Sequence, residues 1–224
     1  AYSVGFLGLF NTNIFINILA TLLLGHAMII AAYLVHECSH NLVFKKIRFN
    51  TYLGGFLSWI CGSSYGTYED IQYKHFRHHV DNDDVVWFDY EAFFEDNPNV
   101  FKLTKILEWF YIPAHEFIMH FIMMFSSFII PQRKNQRSRN TTVIIIRFSL
   151  FLILMLLFPK VGVLYIFSYI LLLTVLRFMD SIQHDYPYNL TLFSRDKAPR
   201  KGQHEWEQEH TFSNPHSFDI EAVN

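Results

Sequence analysis

IFINILATLLLGHAMIIAAYLV, residues 14–35, decides the fold: 22 residues without a charge, interrupted by Asn17, Gly25 and His26. At about 1.5 Å of helical rise per residue it is about 33 Å long, the thickness of a bilayer's hydrocarbon core. Residues 143–158 and 161–179 are two more apolar runs, separated only by the helix-breaking pair Pro159-Lys160, with Arg147 and Arg177 near the same end, where long side chains reach for the headgroups. That spacing predicts an antiparallel helical hairpin. The fold class that follows is an all-α integral membrane protein.

Composition agrees. Of 224 residues, 51% are hydrophobic, 24 are Phe, and only 17% are charged, against about a quarter in a soluble domain. Disorder is excluded by that apolar content, and a net charge of −2 excludes a large basic surface for nucleic acid. Two cysteines, Cys38 and Cys61, set no disulfide framework.

Outward from the spans, residues 1–10 are too few to cross and 11–13 read as a turn. Residues 52–65 and 117–130 are apolar but short, and are expected on the membrane surface. The polar remainder then lies on one side. Arg133, Lys134, Arg137 and Arg139 mark that side as cytoplasmic, so the sequons at Asn140 and Asn189 would not be glycosylated. The chain is read as one domain over 1–224. It begins at Ala1, within apolar sequence, and is expected to be incomplete at both ends.

Twelve histidines stand out, because they cluster. His36-Glu37-Cys38-Ser39-His40 follows the first span, and residues four apart share a helical face, so both imidazoles can reach one ion. His75-Phe76-Arg77-His78-His79 places three more at i, i+3 and i+4. A single pair at this spacing arises often by chance. Five histidines in two face-matched clusters, both at a membrane boundary, point to a metal, although imidazole alone does not choose which.

Topology bears on the same point. Were residues 52–65 to cross the bilayer, the two clusters would face opposite sides; on the surface, they meet. The hairpin returns the chain to that side at Asp180-Ser181-Ile182-Gln183-His184, where Asp180 and His184 are again four apart. His184 is expected as a ligand. Asp180 is either a ligand, direct or through water, or a helix-end charge. His26, His115, His120, His204, His210 and His216 are not expected to bind metal. Asp81 and Asp84 belong to a solvated acidic loop or orient a ligand imidazole from outside.

HECSH at 36–40, HFRHH at 75–79, the apolar hairpin, DSIQH at 180–184 and WEQEHTFSN at 206–214 together resemble the integral-membrane fatty acid desaturase and hydroxylase family. The resemblance implies a non-haem di-iron centre facing the cytoplasm, with His36, His40, His75, His78 and His79 as ligands. His184 matches the extra histidine after the hairpin, and Asp180 stands where relatives often have an Asn that reaches iron through water. It further implies O2, a lipid acyl substrate, and electrons from an external donor, cytochrome b5 or ferredoxin. The usual outcome is a double bond in the acyl chain. The family's third box, HxxHH, has no copy here. A chain lacking it would leave one iron under-ligated and be inactive alone.

Three rivals remain. A carotenoid or alkane hydroxylase uses similar boxes. HECSH also fits the H-E-x-x-H zinc protease pattern with Glu37 as general base, which leaves the second cluster without a role. A haem carrier needs only two histidines.

Overall fold

The computed structural model describes residues 1–81, 84–183 and 189–191. It is α-helical apart from one ladder of two three-residue strands. In chain order the elements are α1 (Tyr2–Gly8), α2 (Ile14–Ser39), α3 (Ile47–Cys61), α4 (Tyr68–Asp81), β1 (Asp84–Val86), α5 (Tyr90–Asp96), α6 (Pro98–Trp109) and α7 (Ala114–Ile129). A 3₁₀ turn (Pro131–Gln136), α8 (Arg137–Leu157), α9 (Pro159–Gln183) and β2 (Asn189–Thr191) follow.

Three helices are long and apolar enough to cross a membrane: α2, the stretch through α8, and α9 to Met179. The protein is an all-α membrane protein. α2 buries Asn17, Ala20, Leu24, Met28, Ala31, Val35 and Cys38, a stripe at steps of three and four. Ile14, Phe15, Ile18, Leu19 and Leu22 point outward. The core gathers this stripe with Leu57 and Cys61 of α3, Tyr68 of α4, and Val161, Leu172 and Leu173 of α9. Gly25 allows α2 and α9 their contact, since a Cβ there would come within 2.7 Å of Leu171 and 3.1 Å of the Ser168 carbonyl.

The α1–α2 turn and the α8–α9 turn meet at one end. Asn13 caps α2 by accepting from the Phe15 amide. Buried Asn17 donates to the carbonyls of Gly8, Leu9 and Asn11, each at 3.1 Å, and accepts from Lys160 Nζ at 3.1 Å. Lys160 also donates to the Asn11 carbonyl. Pro159 does not separate the hairpin helices but begins α9, where its missing N–H costs nothing.

The cationic stretch 133–139 is only partly solvated. Arg133 is 2% exposed, donating to Gln136 Oε1 at 2.8 Å, 3.5 Å from Asp70, with its guanidinium 4.2 Å above the Trp87 ring. Arg139 donates to the carbonyls of Ser64 and Gly66 at 3.0 and 3.2 Å. Arg147, halfway along α8, donates to the Trp59 carbonyl at 3.0 Å and Ser64 Oγ at 2.9 Å. Three arginines thus hold the α3–α4 corner against α8. Asn140 is fully buried in that contact, which closes its sequon in the folded chain.

α3 has 15 residues and α7 has 16, about 22–24 Å of helix, short of a 30 Å hydrocarbon core. Two helices end in the same way. Asn41 (φ 59°) follows α2 and Tyr111 (φ 60°) follows α6 in left-handed conformation. In each, the next amide reaches back to a carbonyl five residues earlier, Leu42 to Glu37 at 3.1 Å and Ile112 to Leu107 at 3.1 Å. This is the Schellman ending, usually closed by Gly. Asn tolerates it; an aromatic side chain there costs about 1–2 kcal/mol.

Candidate metal centre

The Schellman turn stops α2 at its first histidine cluster. His36 lies in the last turn, His40 is the C-cap, and Asn41 sends the chain away at once. Both rings therefore stand at a helix end, beside carbonyls whose negative dipole end favours a cation.

α4 is aimed at that end from its own start. Thr67 and Asp70 cap it reciprocally: Thr67 N donates to Asp70 Oδ2 at 3.1 Å, and Asp70 N to Thr67 Oγ1 at 3.0 Å. Asp70 Oδ2 also accepts from Gln136 Nε2 at 2.6 Å, beside the Arg133 guanidinium. Tyr68 lies where Gly54 leaves room, its ring so close that a Cβ on Gly54 would overlap it. Burial, partly offset by Ser39, pushes the Tyr68 hydroxyl up to about 12.

One turn on, Gln72 Nε2 donates to the Ser39 carbonyl at 2.8 Å, one of the carbonyls α2 leaves open. Gln72 and His75 share a face at i, i+3, so the amide that grips Ser39 brings His75 against His40. The two Nε2 atoms are 2.6 Å apart. Ring centroids are 4.8 Å apart for His36–His40, 4.3 Å for His36–His75 and 4.5 Å for His40–His75. Ligand atoms of all three lie within 4.8 Å of one another, and they are the metal-competent group among the described residues.

The donor chemistry fits a transition metal. Two imidazole nitrogens on one ion at about 2.1 Å stand about 3.0–3.4 Å apart, so His40 and His75 need part by less than 1 Å. Glu37 Oε1 lies 3.1 Å from His36 Nδ1. A carboxylate there accepts a hydrogen bond from Nδ1–H and leaves Nε2 as the nitrogen free to bind a metal. Phe76 meets His40 edge-on at 6.2 Å, apolar cover on one side.

The other expected ligands are placed less fully. His78 and His79 continue α4, and Asp180 lies in α9, but their side chains are outside the described ones. His184 lies outside the described residues, as do His204, His210 and His216. The ladder still constrains the backbone: Asn189, five residues past His184, pairs with Asp84, five past His79. The chain leaving α9 thus meets the chain leaving α4. Asp84 itself is a strand residue of that ladder.

His115 and His120 form a different cluster in α7. His120 Nδ1 lies 2.8 Å from the Glu116 carbonyl, and the Glu116 carboxylate lies 3.6 Å from His115 and 3.9 Å from His120. Burial alone would raise the Glu116 carboxyl, but the His115 contact and the charges of His120, His115 and Arg177 hold it below its usual value.

Gln72, Asp70 and Arg133, which aim α4, were not singled out as site residues in the sequence. The T-x-x-D signature of residues 67–70 was legible there; Gln72 carries no local signal.

A family model described as fatty acid desaturase matches residues 13–221. Neither a curated protein nor a solved structure matches the chain.

Proposed function

The chain belongs to the fatty acid desaturase family, and on that footing we propose that it oxidises an unactivated C–H bond of a lipid acyl chain with O2, introducing a double bond. The observation that carries this reading is the convergence of His36, His40 and His75 from two helices at the end of an apolar helix. A methylene chain offers no acid, base or electrophile, so its oxidation calls for a metal. Membership of a lipid-oxidising family sets the protease and haem readings aside.

When bound, two non-haem iron ions would supply the oxidising power drawn from O2. His36, His40, His75, His78 and His79 would hold them, with His184 and Asp180 as further ligands from the segment 180–184. The ladder between Asp84 and Asn189 supports that, since it returns the chain past α9 to the chain past α4. Glu37 fixes the tautomer of His36. Gln72 fixes the register of α4 on α2. Phe76 gives His40 an apolar neighbour on one flank.

In this reading one domain crosses the membrane several times, α3 and α7 lie on its surface, and the histidines face the cytoplasm. Cytochrome b5 or a ferredoxin delivers electrons there. Hydroxylation of the same carbon is the neighbouring outcome of the same chemistry.

The test is metal analysis of the purified protein. The reading expects iron with no Soret band, lost on His75→Ala. Zinc in place of iron, or iron unaffected by His75→Ala, rejects it.

A further inference from the structure

Outside the histidine cluster, the least expected feature is the corner between α6 and α7. Trp109, Phe110, Tyr111 and Ile112 are consecutive and 76%, 61%, 83% and 41% exposed. Leu103 and Ile106 continue the exposed apolar face along α6, at helical spacing from Phe110. Lys102 and Lys105 flank it, and the Lys105 ammonium lies 4.4 Å over the Phe101 ring.

The corner is rigid. Glu108 accepts from the His115 amide at 3.2 Å, tying the end of α6 to the first turn of α7. Tyr111 holds the left-handed position of the Schellman ending, where Gly would be unstrained, and Pro113 follows. A bulky residue kept in that backbone conformation is an outlier, and such outliers persist where the side chain has a task.

Its depth is fixed as well. Glu108 Oε1 is 3.5 Å from Arg177 Nε. Arg177 stands two residues before Met179, where the apolar span of α9 ends. The end of α6 is therefore level with the edge of the hydrocarbon core, the zone where Trp and Tyr are enriched in membrane proteins. No water-facing protein surface needs four adjacent apolar side chains there.

We propose that residues 109–112 form a wedge inserted into the headgroup and upper acyl zone of the bilayer, with Lys102 and Lys105 facing the lipid phosphates. The occupant of this surface is lipid. The proposal stands on membrane location alone and does not depend on the chemistry proposed above.

A nitroxide on Phe110→Cys, in the full chain reconstituted into vesicles of phosphatidylcholine with some phosphatidylglycerol, tests it; native Cys38 and Cys61 are buried. Collision with O2 should exceed collision with a water-soluble nickel chelate several-fold, as for a label at lipid-facing Leu156→Cys on α8, and the order should reverse at exposed Asp96→Cys. Trp109→Cys is read in the same way, so that one misfolded variant does not decide the result. Nickel access equal to that at Asp96→Cys overturns the proposal in favour of a water-facing corner. Protection from both colliders overturns it in favour of a protein partner or second copy.

Discussion

The Nε2 atoms of His40 and His75, thirty-five residues apart in the chain, stand 2.6 Å from each other. Two neutral imidazoles at that distance share one proton or repel through their lone pairs. A cation between them removes the conflict, and the rings need only part slightly to admit it. Replacing His75 by Ala should therefore lower iron affinity by more than the about 10–100-fold typical of outer residues. His120→Ala, whose ring is engaged with Glu116, should leave bound iron unchanged. Metal content of the two purified variants, measured side by side, decides it.

Gln72 acts at one remove. Its amide bonds α4 to the Ser39 carbonyl at the end of α2. Gln72→Leu keeps the volume, strands the Ser39 carbonyl and loosens the register of His75. Iron affinity should fall about tenfold, with the helical signal in circular dichroism intact. Gln72→Glu should not restore it, because a carboxylate cannot donate to a carbonyl.

Arg133 is the buried charge on which the α3–α4 corner rests. Arg133→Ala leaves Asp70 and Gln136 without their cation, and breaking a buried pair by removing one partner costs about 3–5 kcal/mol. The midpoint of thermal unfolding in detergent should drop by many degrees. Lys134→Ala, at an exposed position in the same turn, should change it little.

Glu116 makes stability depend on pH with a definite sign. Its carboxyl is held below its usual value by His115, His120 and Arg177 despite burial. The stabilisation is thus complete above the ordinary carboxylate range and is lost as pH falls through the depressed value. Glu116→Gln should cost about 1 kcal/mol at neutral pH. Denaturant midpoints of the two proteins should converge in acid.

How far the sequence carries can be argued residue by residue. The uncharged run 14–35 and the end of the first hairpin helix report themselves, because length, apolarity and a proline are local properties, although the Pro159-Lys160 pair proves to open α9 and the break falls at Phe158. HECSH and His75 are equally local, since helical spacing puts such imidazoles on one face. From charge alone, Arg133 and Arg139 only mark a side of the membrane and Arg147 only reaches for headgroups. The acceptors of Arg139 and Arg147 are carbonyls and a hydroxyl of residues 59–66, up to 88 positions away, and no periodicity encodes that pairing. Tyr111 is illegible for the opposite reason: local rules ask for Gly at its position.

Arg147 has a consequence for how the protein is made. An arginine inside an apolar helix raises the cost of membrane insertion, by about 2.5–3.5 kcal/mol at a helix centre and less toward an end, and Arg147 lies four residues inside the run 143–158. Its acceptors, the Trp59 carbonyl and Ser64 Oγ, lie more than eighty residues earlier in the chain. They leave the ribosome first. When α8 emerges, the groups that accept from its guanidinium have already been made, so the direction of synthesis itself has the hydrogen-bond partners waiting for the most polar of the spanning helices.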